Sequence, residues 1–284
     1  MQQRGIVIGG VIEPQLTSDG AARFTSHNLS PTLIRTALLY WDKVDIPRNN
    51  LVYIRLDNEV ENLIKDGLIL STTQTLEDMF EGHSGELRLG GEDLINMSLN
   101  HIYKTLIDHN KKEAGLWAFI QQSSEIVIPD GLAVPTRQTI IELYNLLPQP
   151  SDSVPLDKII LFREKYISEL YSLRFVIERL YKEIGDSKDA AHSFALIKDE
   201  LTRTLTDIHK AMESSFVTRL LDKFEFKLDV LPIIQSAFGD SGISGAISAG
   251  KMFMKVGTSK VPYGLPKSLT PYVYLVRQLK ELSN

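Results

Sequence analysis

The sequence predicts a mixed α+β protein: a small N-terminal α/β layer, a long antiparallel helical hairpin, and a short C-terminal helical segment. Three observations predict it. Over residues 1–150, β-branched apolar runs alternate with short amphipathic stretches, the mark of packed α and β layers. From residue 155 the apolar residues recur at spacings of four and three, which is helix–helix packing. From residue 231 the chain turns rich in Gly, Ala and Ser and then basic. The expected parts are an acidic α/β domain over 1–150, the hairpin over 151–228, and an apolar segment with a basic tail over 229–284.

The elements follow in order. Residues 5–12 are a β-branched run bounded by glycines and predict a buried strand. Ser30 and Pro31 predict a helix start, as N-cap and first helical residue, with Leu33, Ile34, Ala37, Leu38 and Trp41 on its stripe. Pro47 is expected to end that helix, and residues 51–55 to form the next strand. Residues 59–66 predict a short helix closed by Gly67, and residues 92–112 a longer one with Leu94, Ile95, Leu99, Ile102, Leu106 and Ile107 inward. Residues 116–120, 125–128 and 139–143 read as strands. The Pro-, Ser- and Asp-rich stretch 148–155 marks a boundary.

Beyond it, Ile159, Arg163, Tyr166, Leu170, Leu173, Ile177, Leu180 and Ile184 make one heptad seam, about 39 Å long at 1.5 Å per residue. A turn near Gly185 leads to a second stripe from Phe194 through Ile197, Leu201, Leu205, Ile208, Met212, Phe216 and Leu220 to Phe224. Two long helices joined by a short loop lie antiparallel. In residues 231–257, Gly242, Ala246 and Gly250 align at helical spacing as a face for close helix contact. Their uncharged stretches are shorter than the roughly 20 residues a membrane-spanning helix needs.

Composition removes several chemistries. The absence of cysteine excludes disulfides, iron–sulfur clusters, zinc ribbons and a thiol nucleophile. No secretory signal pattern opens the chain, so a cytoplasmic location is expected. The net charge of −5 divides unevenly. Residues 1–150 hold 12 Lys+Arg against 19 Asp+Glu, whereas residues 151–284 hold 19 against 17. An acidic N-terminal half argues against broad nucleic-acid binding there. The basic tail, with Lys251, Lys255 and Lys260, is the expected contact for an anionic partner, lipid or nucleic acid.

The motifs that would carry chemistry are incomplete. Gly245-Ala-Ile-Ser-Ala-Gly250-Lys251 fits the first seven positions of a phosphate-binding loop, but Met252 stands where a Ser or Thr holds magnesium. His101 and His109 share a helix about 12 Å apart, too far for one ion. No metal-ligand spacing appears, and neither metal nor cofactor is expected. Asp42, Asp45 and Glu59 lie near predicted element ends and are the candidate catalytic carboxylates. The loop from His83 to Asp93 carries glycines able to turn backbone N–H groups toward an anion.

Three segments together resemble a known family: Ile34-Arg-Thr-Ala-Leu-Leu-Tyr-Trp-Asp-Lys43, Val154-Pro-Leu-Asp-Lys-Ile-Ile-Leu-Phe-Arg-Glu-Lys165, and Pro271-Tyr-Val-Tyr-Leu275. The arrangement resembles an uncharacterised bacterial family of unknown function. The resemblance implies an α/β part, a helical hairpin and a Gly/Ala-rich end. It also implies a cytoplasmic protein of the kind found among mobile and defence genes, and brings no catalytic residue. The expected function is a non-enzymatic interaction or accessory subunit, in a hetero- or homo-oligomer, of an antiviral defence or toxin system. Arg163, Arg174 and Arg179 are its expected partner contacts. The alternatives are a membrane-acting effector using residues 231–257 and the basic tail, and a hydrolase or nuclease using Asp42, Asp45 or Glu59.

Overall fold

The computed structural model describes residues 3–18, 21–50, 55–75, 90–121, 138–212 and 267–282. The architecture is mixed α+β, and contacts divide the chain into two units, 1–138 and 139–284.

In the first unit, β1 (Gly5–Gly9) lies between β4 (Lys43–Asp45) and β7 (Trp117–Gln121), parallel to both. The strand expected over 5–12 breaks at Gly10, and β2 (Val11–Leu16) turns back as a hairpin with β3 (Ala22–His27). Residues 43–49 form one extended segment in two pieces, β4 and β5 (Arg48–Asn49), which runs parallel to residues 70–74 and their strand β6 (Thr73–Gln74). Pro47 explains the break. Proline has no N–H to give β1, and pairing with β1 stops at Asp45. On the other side Ile46 and Arg48 still donate to Leu70 and Thr72 at 3.0 and 2.9 Å. This strand precedes the one expected over 51–55, of which 51–54 fall outside the described residues. The neighbours now read third, second, first, fourth in chain order, as in the opening half of a doubly wound parallel sheet.

Helices join these strands. In α1 (Pro31–Tyr40), Ser30 Oγ accepts from the Leu33 N–H at 3.4 Å, with Pro31 in the first turn. In α2 (Asn58–Lys65), Val60 and Leu63 are buried, and Gly67 follows at φ +72°, the left-handed conformation that suits glycine. In α3 (Gly91–Lys112), Ile102, Tyr103 and Leu106 pack on Val7, Trp117 and Phe119. Burial pushes the Tyr103 phenol up to about 12.

Across this face the Trp117 ring lies over Gly5. A Cβ on Gly5 would meet ring atoms at 2.3–2.5 Å, whereas one on Gly9 would meet Phe119 at 3.1 Å. Register puts Gly5 directly opposite both Lys43 and Trp117, so the smallest residue in the sheet makes room for its largest neighbour.

In the second unit, α4 (Gln138–Asn145) replaces the strand expected over 139–143. Its Thr-Ile-Ile run reads as β by propensity. Buried Ile140, Ile141, Tyr144 and Leu147 recur at helical spacing instead, and packing overrides propensity. The boundary between units falls at the first residue of α4, ahead of the Pro-rich stretch 148–155. The first hairpin helix is split into α5 (Leu156–Lys165) and α6 (Ile167–Asp186) at Tyr166, which leaves helical geometry at φ −116°, ψ 30°. All the apolar seam residues from Ile159 to Ile184 are buried. The return helix α7 (Ala190–Met212) buries Phe194, Ile197, Leu201, Leu205 and Ile208 and packs on α6. Its continuation, the segment 231–257, the phosphate-loop-like motif and Lys251, Lys255 and Lys260 lie outside the described residues.

The chain end closes this unit. A 3-10 turn (Lys267–Tyr272) and α8 (Val273–Glu281) pack on α6, with Val273, Tyr274, Leu275 and Val276 buried. Gln278 Nε2 donates to the Pro148 carbonyl at 2.7 Å. The Tyr166 hydroxyl and Lys165 both donate to Glu281, and the Arg277 guanidinium sits over the Tyr166 ring. Desolvation opposes the Glu281 charge, but these donors and cations together hold its carboxyl below the usual range. The helix break at Tyr166 thus coincides with the docking point of α8. Among the described residues, no helix is long and apolar enough to cross a membrane.

Two predictions follow from the packing and from Glu142. Gly5→Ala drives a methyl group into the Trp117 ring and should lower the unfolding free energy by about 2–3 kcal/mol. Gly9→Ala should cost well under half of that, both read from urea titrations. Glu142 is buried in α4, and desolvation pushes its carboxyl up to about 7 against the pull of Lys198. The folded chain then binds this proton more tightly than the unfolded chain. Its stabilising effect is complete at acid pH and is lost as pH rises toward about 7. Glu142→Gln should flatten that slope and exceed the native protein in stability at pH 8. The expected gain is about 1–2 kcal/mol, the full shift being reduced by solvent screening.

Candidate functional site

At the amino ends of the parallel strands a cleft of about 440 Å³ opens beside the last turn of α3. Its described lining includes Asp42, Lys43, Leu68, Leu70, His109, Lys112, Glu113 and Trp117. Asp45 lies beneath it, with no solvent exposure. Its carboxylate accepts from the Thr72 N–H at 3.0 Å, the Thr72 hydroxyl at 2.5 Å and His109 Nε2 at 2.7 Å. A buried charge is tolerable only with such partners.

The His109 ring is held on a second side by stacking on Trp117, with centroids 3.7 Å apart and planes within 5°. Trp117 Nε1 donates to Glu113 Oε2 at 2.7 Å, and Lys43 Nζ reaches Glu113 Oε1 at 2.7 Å. Those two donors hold the Glu113 carboxyl below the usual range, Lys43 contributing most. One chain of contacts therefore runs from the buried Asp45 through an imidazole and an indole to a surface ion pair.

The geometry fixes one ring proton. A carboxylate can only accept, so Nε2 carries a proton toward Asp45, and whenever the imidazole is neutral Nδ1 is its acceptor. That nitrogen has no partner among the described residues.

The candidate carboxylates do not converge. Asp42 lines the cleft, and its Oδ2 accepts from the Arg4 N–H at 2.8 Å. Asp45 lies under the cleft. Glu59 sits on α2 and faces Arg35 of α1 at 3.6 Å. Among the described residues, no three His, Asp or Glu side chains are grouped to hold a metal ion. His101 is buried and contacts Asn49 Nδ2, well separated in role from His109. In the helical unit Arg163 is half-buried and Arg179 exposed, whereas Arg174 is buried, its guanidinium 5.6 Å from the Tyr171 ring centre. Arg174 therefore packs within its own unit instead of facing outward. The loop from His83 lies outside the described residues up to Leu89.

The three segments singled out in the sequence, at residues 34–43, 154–165 and 271–275, now fall on α1 with its following turn, on α5 and on the start of α8. A family model matches residues 11–283. The chain belongs to DUF6236, a family of unknown function. No curated protein and no solved structure matches it. The family brings no assigned residue, so the site stands on geometry alone. His109 was the residue missed from sequence: its partner Asp45 is far away in the chain, and no local spacing announces it.

If Asp45 anchors this network, Asp45→Asn should destabilise the protein by about 2–4 kcal/mol, because an amide cannot accept all of these donors. A double-mutant cycle with His109→Gln should return a coupling of about 1–3 kcal/mol. Additive effects in chemical denaturation would show that the pair is not a unit.

Proposed function

We propose that this DUF6236 protein is a non-enzymatic subunit that docks a partner protein through its helical unit. The observation that carries the reading is an inversion on α6. Glu169 and Arg174 are buried there, whereas Phe175 is 63% exposed. Leu161 of α5 and Leu196 of α7 are 63% and 56% exposed. Covering a phenylalanine is worth about 2 kcal/mol, a gain that a partner surface supplies. Aromatic anchors of this kind dominate protein interfaces. A place in a defence or toxin assembly is part of the same proposal.

The hydrolase alternative has one observation in its favour, the oriented imidazole of His109. Against it, Asp45 is fully buried and already accepts from Thr72 and His109, and Glu59 lies elsewhere. The cleft also opens at the amino ends of the strands, the edge opposite to that which parallel α/β sheets use for ligands and catalysis. For the membrane-effector alternative no described residue speaks.

The test combines Leu161→Asp, Phe175→Asp and Leu196→Asp. The native chain should run as a complex by light scattering, alone or when mixed with extract of its own host. The triple variant should run as a free monomer with its unfolding free energy within about 1 kcal/mol of native. A native chain that stays monomeric and unaccompanied in both settings overturns the reading.

A further inference from the structure

Two polar groups in the cleft remain uncommitted, and they sit on the same turn of α3. Lys112 is exposed and has no ion-pair or hydrogen-bond partner among the described residues. Three residues before it, His109 in its neutral form presents the lone pair of Nδ1. Residues three apart on a helix stand about 5–6 Å from one another at Cβ, so one small molecule can reach both. The acceptors nearby are already engaged: Glu113 by Lys43 and Trp117, and Asp42 by the Arg4 N–H. What the cleft lacks is therefore specific. Among the described residues it holds no anion for Lys112 and no O–H donor for His109.

The apolar part of the wall is also uncovered. Leu68 and Leu70 are 46% and 39% exposed and both line the cleft. A volume of about 440 Å³ lies within the usual range for small-molecule sites. The imidazole is fixed by Asp45 on one edge and by the Trp117 face, so the acceptor is set in place before any ligand arrives. Preorganisation of that kind lowers the cost of binding.

The geometry points to a binding site for a small organic hydroxy-anion, a carboxylate or phosphonate with an adjacent hydroxyl and an apolar side chain. The anion pairs with Lys112, the hydroxyl donates to His109 Nδ1, and the side chain covers Leu68 and Leu70. No bond is made or broken. The site lies wholly within the first unit, so its failure and that of the docking surface on the second are read separately.

The experiment is isothermal titration of the full chain with four probes: mandelate, α-hydroxybenzylphosphonate, phenylacetate and benzyl alcohol. At least one hydroxy-anion should saturate with a millimolar or tighter Kd, and the first two probes distinguish carboxylate from phosphonate. If mandelate binds, it should exceed phenylacetate roughly fivefold, the worth of one hydrogen bond. Lys112→Ala, at an exposed position, should weaken the bound hydroxy-anion roughly fivefold or more and leave benzyl alcohol unchanged. The ¹⁵N resonances of the His109 ring should move on binding. The proposal is overturned if neither hydroxy-anion saturates below about 20 mM. It is equally overturned if phenylacetate binds as tightly as a mandelate that saturates, or if Lys112→Ala leaves the bound hydroxy-anion's affinity unchanged.

Discussion

The Trp117 ring lying across Gly5 is the contact on which the α/β unit depends. An indole is too large to sit flat over a strand that carries side chains, so β1 must present a glycine at that register. Once the ring is there, three further features follow. Its outer face receives His109 and so fixes the end of α3. Its N–H binds Glu113 and so fixes the turn into β7. The stacked imidazole reaches Asp45 and, through Thr72, holds the outer strand segment to the sheet. Packing supplies most of the energy, and the polar contacts supply the register.

The helical unit is organised differently. Its seam is apolar and long, yet the charged groups Glu142, Glu169 and Arg174 are buried beside it. Each carries a desolvation cost that an apolar residue of similar volume would avoid. At Glu142 that cost appears as a carboxyl pushed up to about 7. Meanwhile Phe175 faces water. A hairpin optimised only to stand alone would reverse both choices, and the docking proposal rests on that inversion.

Elements with local signals were legible in the sequence. Ser30 and Pro31 start α1, Gly67 closes the turn after α2, and the heptad stripe traces α5 and α6 because each signal acts within a few residues. Two elements were misread where local and global preferences disagree. The Thr-Ile-Ile run of α4 has β propensity but buries a helical stripe. The seam from Ile159 to Ile184 is continuous in sequence and breaks at Tyr166, where α8, more than a hundred residues later, docks. The site was half legible. Asp45 was nominated for its position near an element end, but His109 became part of it only through tertiary folding. No one-dimensional pattern joins residues 45, 72, 109 and 117.

The same geometry separates holding a ligand from transforming one. Catalysis by a buried Asp–His pair needs the imidazole to give and take a proton beside a nucleophile and a group that stabilises developing charge. Here Asp45 orients the ring, but no described serine or threonine hydroxyl lines the cleft, and its acidic groups are already bonded. The proposed recognition site uses a fixed acceptor, an ammonium without a partner among the described residues, and an apolar wall. They discriminate between small molecules by placing a hydroxyl and a charge at set positions. An imidazole locked by an indole on its face and a buried carboxylate on its edge is suited to that task, because rigidity sharpens selectivity where proton transfer would need motion.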